Sequence, residues 1–390
     1  MHAHHLPRSR FGEKSDDMTR VVHLSSVHRR YDTRVFLKEC RSLAASGYEV
    51  ILVVADGKQD EVRDGVTIIS VPAPTSRLQR MIKTTRQVAR KGLELDADIY
   101  HLHDPELLPA ALWLKAKGKK VIYDAHEDLP EQVMGHSYLP QWSRSSVALA
   151  AGFLVKHVCR RLDGAVAATP YIQGQFQHMG VRTEDVSNFP MLGELEVENG
   201  WENKQRQVCY VGSIAAVRGI VDIVKAMEFV QPDVRLALGG ELAGSDVETI
   251  VTQQPSWRRV DALGFLDRTS TRETLARSIA GLVTLHPNGN YINAQPVKMF
   301  EYMAAGIPVI ASDFPLWRRI VDDAGCGKLV DPLDPKAIAE AIDWFIDHPD
   351  AARAMGESGR RAVLERYNWD VERGKLFAFY DAVLGQKKQA

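Results

Sequence analysis

Short, continuously apolar runs alternate with longer amphipathic stretches along almost the whole chain. Residues 21–25, 48–55, 98–102, 119–123 and 164–169 read as strands buried on both faces. Between the first two, residues 33–45 carry apolar positions at helical spacing, with Asp32 placed as an N-cap and Gly47 just past the end. Strand, loop, helix, glycine and strand is the order of a right-handed βαβ unit. Residues 143–162 predict a long helix, apolar from 147 to 155 and assigned to the core because the run falls short of a bilayer span. Residues 170–179 predict a further helix. The pattern decays after Gly180 and resumes as strands at 207–211, 234–238, 260–266 and 281–285, with a helix over 219–227. Residues 337–345, 350–361 and 369–384 read as amphipathic helices.

This alternation predicts an α/β protein of two domains, each with its own core: residues 18–190 and 207–366, a linker at 191–206, and a terminal helix at 367–390. Residues 1–17 are polar and rich in His and Arg, without the apolar centre of a signal peptide. They are expected to form a disordered leader, and Met18 is an alternative start.

The densest concentration of candidate chemistry lies in residues 295–312. Pro296 suits the first turn of a helix, Gly306 suits its stop, and Pro308 admits a strand but no further helix. The positive end of that helix points back at the loop 288–295, a natural seat for phosphate. Lys298 and Glu301, three apart, share one face and flank the place where a nucleotide would lie. In the first half, the predicted strands deliver His101, His103 and Asp104, then Asp124, His126, Glu127 and Asp128, to their carboxyl ends. Ligands bind beyond such ends in open parallel sheets. His101 and His103 share a strand face and offer two metal ligands, but the sequence names no clear third. The loop after the first strand lacks the glycine-rich dinucleotide fingerprint, which argues against a nicotinamide cofactor.

Composition changes this picture little. Hydrophobic and charged fractions of 45% and 25% are those of a globular protein, and a formal net charge of -1 gives no case for nucleic acid. Cys40, Cys159, Cys209 and Cys326 have no metal-type spacing and read as buried thiols of a reducing cytoplasm. Charge does matter over residues 77–91. Arg77, Arg80, Lys83, Arg86, Arg90 and Lys91 fall on one side of a helical wheel, opposite Leu78, Met81, Ile82, Val88 and Ala89. That is the pattern of a helix lying on an anionic membrane surface, and equally of a surface helix with its basic face in water.

The 295–312 stretch, the turn from Val211, Gly212 and Ser213 to Arg218 and Gly219, and the His-rich strand ends together resemble the retaining glycosyltransferases of family 4. Those enzymes have two facing Rossmann-like domains, the GT-B fold, and the resemblance runs from Met18 to Leu384. It implies a nucleoside-diphosphate sugar held by Gly212, Ser213, Arg218, Gly239, Glu241, Phe265, Leu266, Gln295, Pro296, Val297, Lys298 and Glu301, with Glu301 on the ribose. It implies an acceptor bound by His28, Arg29, Tyr31, Arg34, His103 and Asp104, a glycan or lipid-linked precursor of a bacterial surface polysaccharide. His126 would contact the transferred sugar, and Arg218, Lys298 and Asn293 complete the catalytic set.

No cofactor and no metal are expected beyond the donor. The implied place is the cytoplasm, with a peripheral position on the inner face of the cell membrane. Two departures stand out. Ser213 replaces the usual Arg of the first turn, leaving Arg218 to neutralise phosphate. Asn293 replaces the first of two glutamates separated by seven residues, so that position carries no charge. A nucleotide-sugar epimerase of the same architecture and a non-catalytic nucleotide-sugar-binding scaffold are the rival readings. The terminal helix is implied to cross back onto the first domain.

Overall fold

The computed structural model describes residues 18–135, 140–196, 201–241 and 245–385. The first domain is built on strands β1 (Arg20–Leu24), β2 (Glu49–Val54), β3 (Glu61–Arg63), β4 (Val66–Ser70), β5 (Ile99–Leu102), β6 (Lys120–Ala125), β7 (Gly164–Ala167) and β8 (Thr183–Asp185). They lie in the order β3-β4-β2-β1-β5-β6-β7-β8, all parallel except the β3–β4 pair. The second holds β9 (Gln207–Val211), β10 (Arg235–Gly239), β11 (Val260–Gly264), β12 (Ala280–Val283), β13 (Val309–Ser312) and β14 (Gly327–Val330), in the wholly parallel order β11-β10-β9-β12-β13-β14. Helices cover both faces of each sheet, which is why the central strands are apolar throughout rather than alternating.

Register positions the chemistry. Leu24 pairs with Leu102, and Leu102 with Tyr123, so the carboxyl ends of β1, β5 and β6 stand in one row. The β6 strand runs two residues further than the periodicity predicts, carrying Asp124 into the fully buried sheet. Asp32 does cap the first helix, its carboxylate accepting from the amides of Arg34 and Val35 at 2.9 Å. The turn Thr33–Cys40 is wound in π register, Leu37 N reaching Asp32 O at 3.0 Å, before α-helix resumes at Arg41–Ala45. The wider turn carries Arg34, Lys38 and Glu39 inward, and all three are buried.

The helix Trp369–Leu384 packs on the first sheet, not the second. Trp369, Leu376, Phe379, Tyr380 and Val383 join the core formed by Val21, Phe36 and Ile99. Gly164 makes the close approach possible, since a Cβ there would lie 2.5 Å from the Phe379 ring. Trp369 Nε1 donates to Ser42 Oγ at 2.8 Å, and its amide donates to Pro190 O at 2.9 Å.

One expectation about an apolar face needs correction. The helix Gln141–Cys159 buries Ala148, Val155, Val158 and Cys159, but Trp142, Leu149 and Phe153 are 85%, 78% and 71% exposed. A helix apolar on every side does not declare which side is covered. In the segment Arg77–Glu94, Val88 and Ala89 are buried while Leu78, Met81 and Ile82 stay in solvent. Arg80 is not part of a free basic face: it grips Glu106 at 2.7 Å, a partner 26 residues away.

Gly219 is one of the glycines the second domain cannot replace. Its φ is 77°, and a Cβ would lie 1.9 Å from the Thr284 carbonyl oxygen. Gly219→Ala is expected to lower stability by about 2 kcal/mol or more, read from the urea midpoint, because strain and collision add. A midpoint equal to the parent's would mean the turn relaxes freely.

Candidate active site

A cleft of about 1050 Å³ separates the two domains. It lies at the carboxyl ends of both sheets, where strand ends and helix starts leave polar backbone exposed.

On the second domain, Gly212 and Gly240 meet back to back, with φ values of 142° and 139°. A Cβ on Gly240 would sit 1.9 Å from Gly212 O, so the crest between β9 and β10 carries no side chains. The helix Val297–Ala304 is pinned beside this crest. Val211 N donates to Tyr302 Oη at 2.9 Å, and the Tyr302 ring occupies the space that a Cβ on Gly281 would need. Lys298 is thereby aimed along the crest, its Nζ 3.7 Å above the Tyr210 ring and 3.2 Å from where a Gly212 Cβ would be. It is buried and has no hydrogen-bond acceptor among the described residues. Burial first, then Arg218, holds its ammonium well below the ordinary lysine range, with Glu301 opposing.

Arg218, Asn293, Gln295 and Val297 line the cleft, and Pro296 occupies the N-cap of the Lys298 helix. Gln295 Oε1 accepts from Ser187 Oγ at 2.8 Å, tying the loop to the first domain. Glu301 is held by Arg268 at 2.6 Å, and Arg268 also reaches Glu194 at 2.7 Å. Ser213 is exposed and receives the Tyr210 hydroxyl on its carbonyl at 2.8 Å. Gly239, Glu241, Phe265 and Leu266 stand at the strand ends beside the cleft rather than in its lining. Phe265 is 74% exposed, Leu266 covers Gly239, and Glu241 offers its carbonyl to Ile214 N at 3.3 Å.

On the first domain, His28, Arg34 and His126 line the cleft, the rings of His28 and His126 lying 4.8 Å apart. His126 Nε2 is 2.8 Å from Asp124 Oδ2, and Asp124 is clasped by Arg34 at 2.9 and 2.8 Å and by His103 at 3.1 Å. Burial alone would raise the Asp124 carboxyl; Arg34, His126 and His103 outweigh it and hold the group ionised, well below its usual range.

The other acceptor candidates face elsewhere. His103 and Asp104 are each 2% exposed. Asp104 accepts from Ser26 N at 2.6 Å, Ser25 Oγ at 2.9 Å and Val27 N at 3.2 Å, and pairs with His28 at 3.0 Å. It shapes the first loop and cannot reach an acceptor. Tyr31 donates to Glu61 at 2.6 Å beneath Arg63, and Arg29 is exposed outside the lining. Glu127 and Asp128 do line the cleft.

Sequence reasoning did not single out Glu131, Thr169 and Asn188, which also line the cleft. Thr169 had a signal, a polar residue at a strand end before Pro170, where it caps the next helix through Ile172 N at 3.2 Å. Lys38 had none. It is buried at the domain junction, donates to Asn188 Oδ1 at 2.5 Å, and burial pushes its ammonium down to about 8.

Two family profiles match this chain. "Glycosyl transferase 4-like domain" covers residues 33–191, and "Glycosyl transferases group 1" covers residues 193–362. The chain belongs to the family 4 glycosyltransferases. The glycosyltransferase is 27% identical over 336 residues to a phosphatidyl-myo-inositol mannosyltransferase of Mycobacterium tuberculosis, which covers 81% of this chain and 83% of the relative. It is 24% identical over 380 residues to a GDP-mannose-dependent alpha-mannosyltransferase of Mycolicibacterium smegmatis, covering 91% and 94%. Its fold is shared with sucrose-phosphate synthase from Thermosynechococcus elongatus, at a TM-score of 0.77 and 17% identity over 94% of this chain and 100% of that one. Anabaena HepE, solved with UDP and glucose, aligns at a TM-score of 0.70 and 14% identity over 93% and 100%. The architecture of this glycosyltransferase is therefore GT-B, two parallel-sheet domains facing one cleft.

Proposed function

We propose that this glycosyltransferase transfers a sugar from a nucleoside diphosphate to an acceptor hydroxyl with retention of anomeric configuration, and that the transfer step needs no metal or cofactor. The observation that carries the reading is Lys298, a buried cation without an acceptor beside a side-chain-free glycine crest, with Arg218 next to it. A diphosphate supplies the missing partner. As the C1–O bond breaks, its electron pair passes to the diphosphate oxygen, where Lys298, Arg218 and the amides opening the Lys298 helix stabilise it. The acceptor oxygen bonds to C1 from the face being vacated, and its proton goes to that diphosphate oxygen. His126, oriented by Asp124, contacts the sugar; Asn293 takes the place beside it. In this reading Glu301 exchanges Arg268 for the ribose.

A thermal-shift series with UDP, GDP, ADP and dTDP tests the site. One nucleotide is expected to raise the midpoint, equally with and without added Mg²⁺. A response to none of them would remove the donor assignment, and an inverted anomer in the NMR spectrum of the product would remove retention. His126→Ala is expected to lower kcat about 10²-fold with little change in KM. The fold should survive, because Asp124 keeps Arg34 and His103. Steady-state kinetics at the parent's rate would take His126 out of the reaction.

The acceptor proposed is a glycan or lipid-linked glycan precursor, met at the cytoplasmic face of a membrane. No helix among the described residues is long and apolar enough to cross a bilayer. The helices Thr85–Glu94, Leu108–Ala116 and Gln141–Cys159 form one layer, and Met81, Ile82, Trp113, Trp142, Leu149 and Phe153 are exposed on or beside it. Arg86 and Arg90 flank a groove of about 480 Å³ that Met81, Ile82 and Trp113 line. Apolar side chains bordered by basic ones suit an anionic lipid surface. Trp142→Ser combined with Phe153→Ser is expected to lower cosedimentation with phosphatidylglycerol vesicles several-fold without lowering the urea midpoint. Undiminished cosedimentation would point to another surface.

A further inference from the structure

Beneath the cleft, one layer further into the first domain, lies a cluster that the transfer reaction does not use. His23 on β1, His101 on β5, His103 just beyond it and Glu39 of the π-wound turn converge in the core, between 0% and 2% exposed. Glu39 Oε2 lies 3.9 Å from His23 Nδ1, 3.7 Å from His101 Nδ1 and 3.9 Å from His103 Nε2. Three imidazoles and one carboxylate thus face a common point from four directions in the chain.

We propose that His23, His101, His103 and Glu39 bind a divalent metal ion, and that the donor set selects zinc. Three nitrogens and one oxygen are a zinc-type shell, and four ligands at about 2.0–2.1 Å from a tetrahedral ion stand about 3.3 Å from one another. The carboxylate-to-imidazole distances exceed that by about half an ångström, within the reach of side-chain adjustment on binding. His23 Nδ1 and His103 Nε2, now 2.8 Å apart, separate by a similar amount.

The hydrogen bonding of the cluster is incomplete at its carboxylate. Buried polar groups ordinarily find partners. Here Glu39 Oε2 has no hydrogen-bond partner among the described residues. His23 Nε2 and His101 Nε2 are also unpartnered, but they are the ring nitrogens turned away from the common point; of those facing it, His23 Nδ1 meets His103 Nε2 at 2.8 Å and His101 Nδ1 meets Tyr380 Oη at 2.8 Å. His103 is held as metal-ligating histidines are held: Nε2 faces the cluster while Nδ1 is 3.1 Å from the Asp124 carboxylate. Arg34 Nε is 3.1 Å from Glu39 Oε1, the carboxylate oxygen turned away from the rings. The Tyr380 hydroxyl, 2.8 Å from His101 Nδ1, is the present partner of that nitrogen and would give way to the ion on binding. His103, Asp124 and His126 also approach one another, but there both histidines already contact the carboxylate directly.

Such an ion would be structural. All four protein positions of the shell are filled and the site is closed to the cleft, so no place remains for substrate. Its effect on the reaction would be positional, fixing the His103–Asp124–His126 line from below.

The test is metal analysis of the full chain carrying His2→Ala, His4→Ala and His5→Ala, so that these three histidines cannot chelate, purified without a metal column. About one zinc per chain is expected by mass spectrometry. Glu39→Gln and His101→Gln are each expected to bring it below about a tenth of that. The proposal is overturned if the parent holds less than about a tenth of an equivalent both as isolated and after refolding with zinc, or if folded variants keep the parent's content. Should the variants not fold, the parent refolded with Co²⁺ decides. Intense visible bands of a tetrahedral nitrogen–oxygen site support the assignment, and their absence overturns it.

Discussion

Lys298→Met is expected to lower kcat/KM for the donor by about 10²–10³-fold, about 2.7–4 kcal/mol of transition-state stabilisation, while leaving the free protein at least as stable as the parent. The two halves of this result come from one fact. Lys298 Nζ is buried over Tyr210 without an acceptor, and burial followed by Arg218 depresses its ionisation well below that of a free lysine. A lysine whose folded value is depressed opposes folding in full below that value. The penalty fades as pH rises through it toward the unfolded value. Methionine keeps the stem and removes the penalty. What it loses is the charge that a diphosphate would meet.

The same depression fixes a proton balance. A bound diphosphate raises the Lys298 ionisation, so nucleotide binding takes up a proton between the depressed free value and the raised bound one. Affinity falls as pH climbs through the free value. Calorimetry in two buffers of different ionisation enthalpy reads this uptake directly, and Lys298→Met should abolish it. A methionine variant that unfolds earlier than the parent but binds nucleotide normally would make Lys298 a structural residue.

Arg34→Met is expected to cost about 3–5 kcal/mol of stability, the largest loss from any single side chain considered. Arg34 makes a two-pronged bond to Asp124 at 2.9 and 2.8 Å and donates to Val186 O at 2.7 Å, all buried. Methionine fills part of the volume but leaves an ionised carboxylate and a carbonyl without their donor. Adding Asp124→Asn should recover part of the loss, because the stranded charge is then gone. Urea midpoints of the two single variants and the double variant check this. Strict additivity would show that the two side chains do not depend on each other.

Much of this protein is written in local sequence. The alternation of apolar runs with amphipathic stretches determined two parallel-sheet domains, because burial on both faces of a strand demands an unbroken apolar run. Asp32 before its helix, and Pro296 and Gly306 around the Lys298 helix, marked those ends through backbone requirements local to each residue. The helix that carries Lys298 was therefore legible.

What the sequence left undecided is which side chains meet. Arg34 and Asp124 are 90 residues apart, His23 and His103 80, and His101 and Tyr380 279. Arg268 reaches Glu301 across 33 residues and so occupies a carboxylate that periodicity alone presents as open. The outward face of the helix Gln141–Cys159 was equally invisible, since apolar character does not say which neighbours will cover it. That His101 and His103 lie close together was legible; that His23 of the neighbouring strand and Glu39 of a turn wound wider than an α-helix join them was not. Strand order, register and helix placement bring such residues together. These are set by the packing of the whole sheet, which no local pattern of residues encodes.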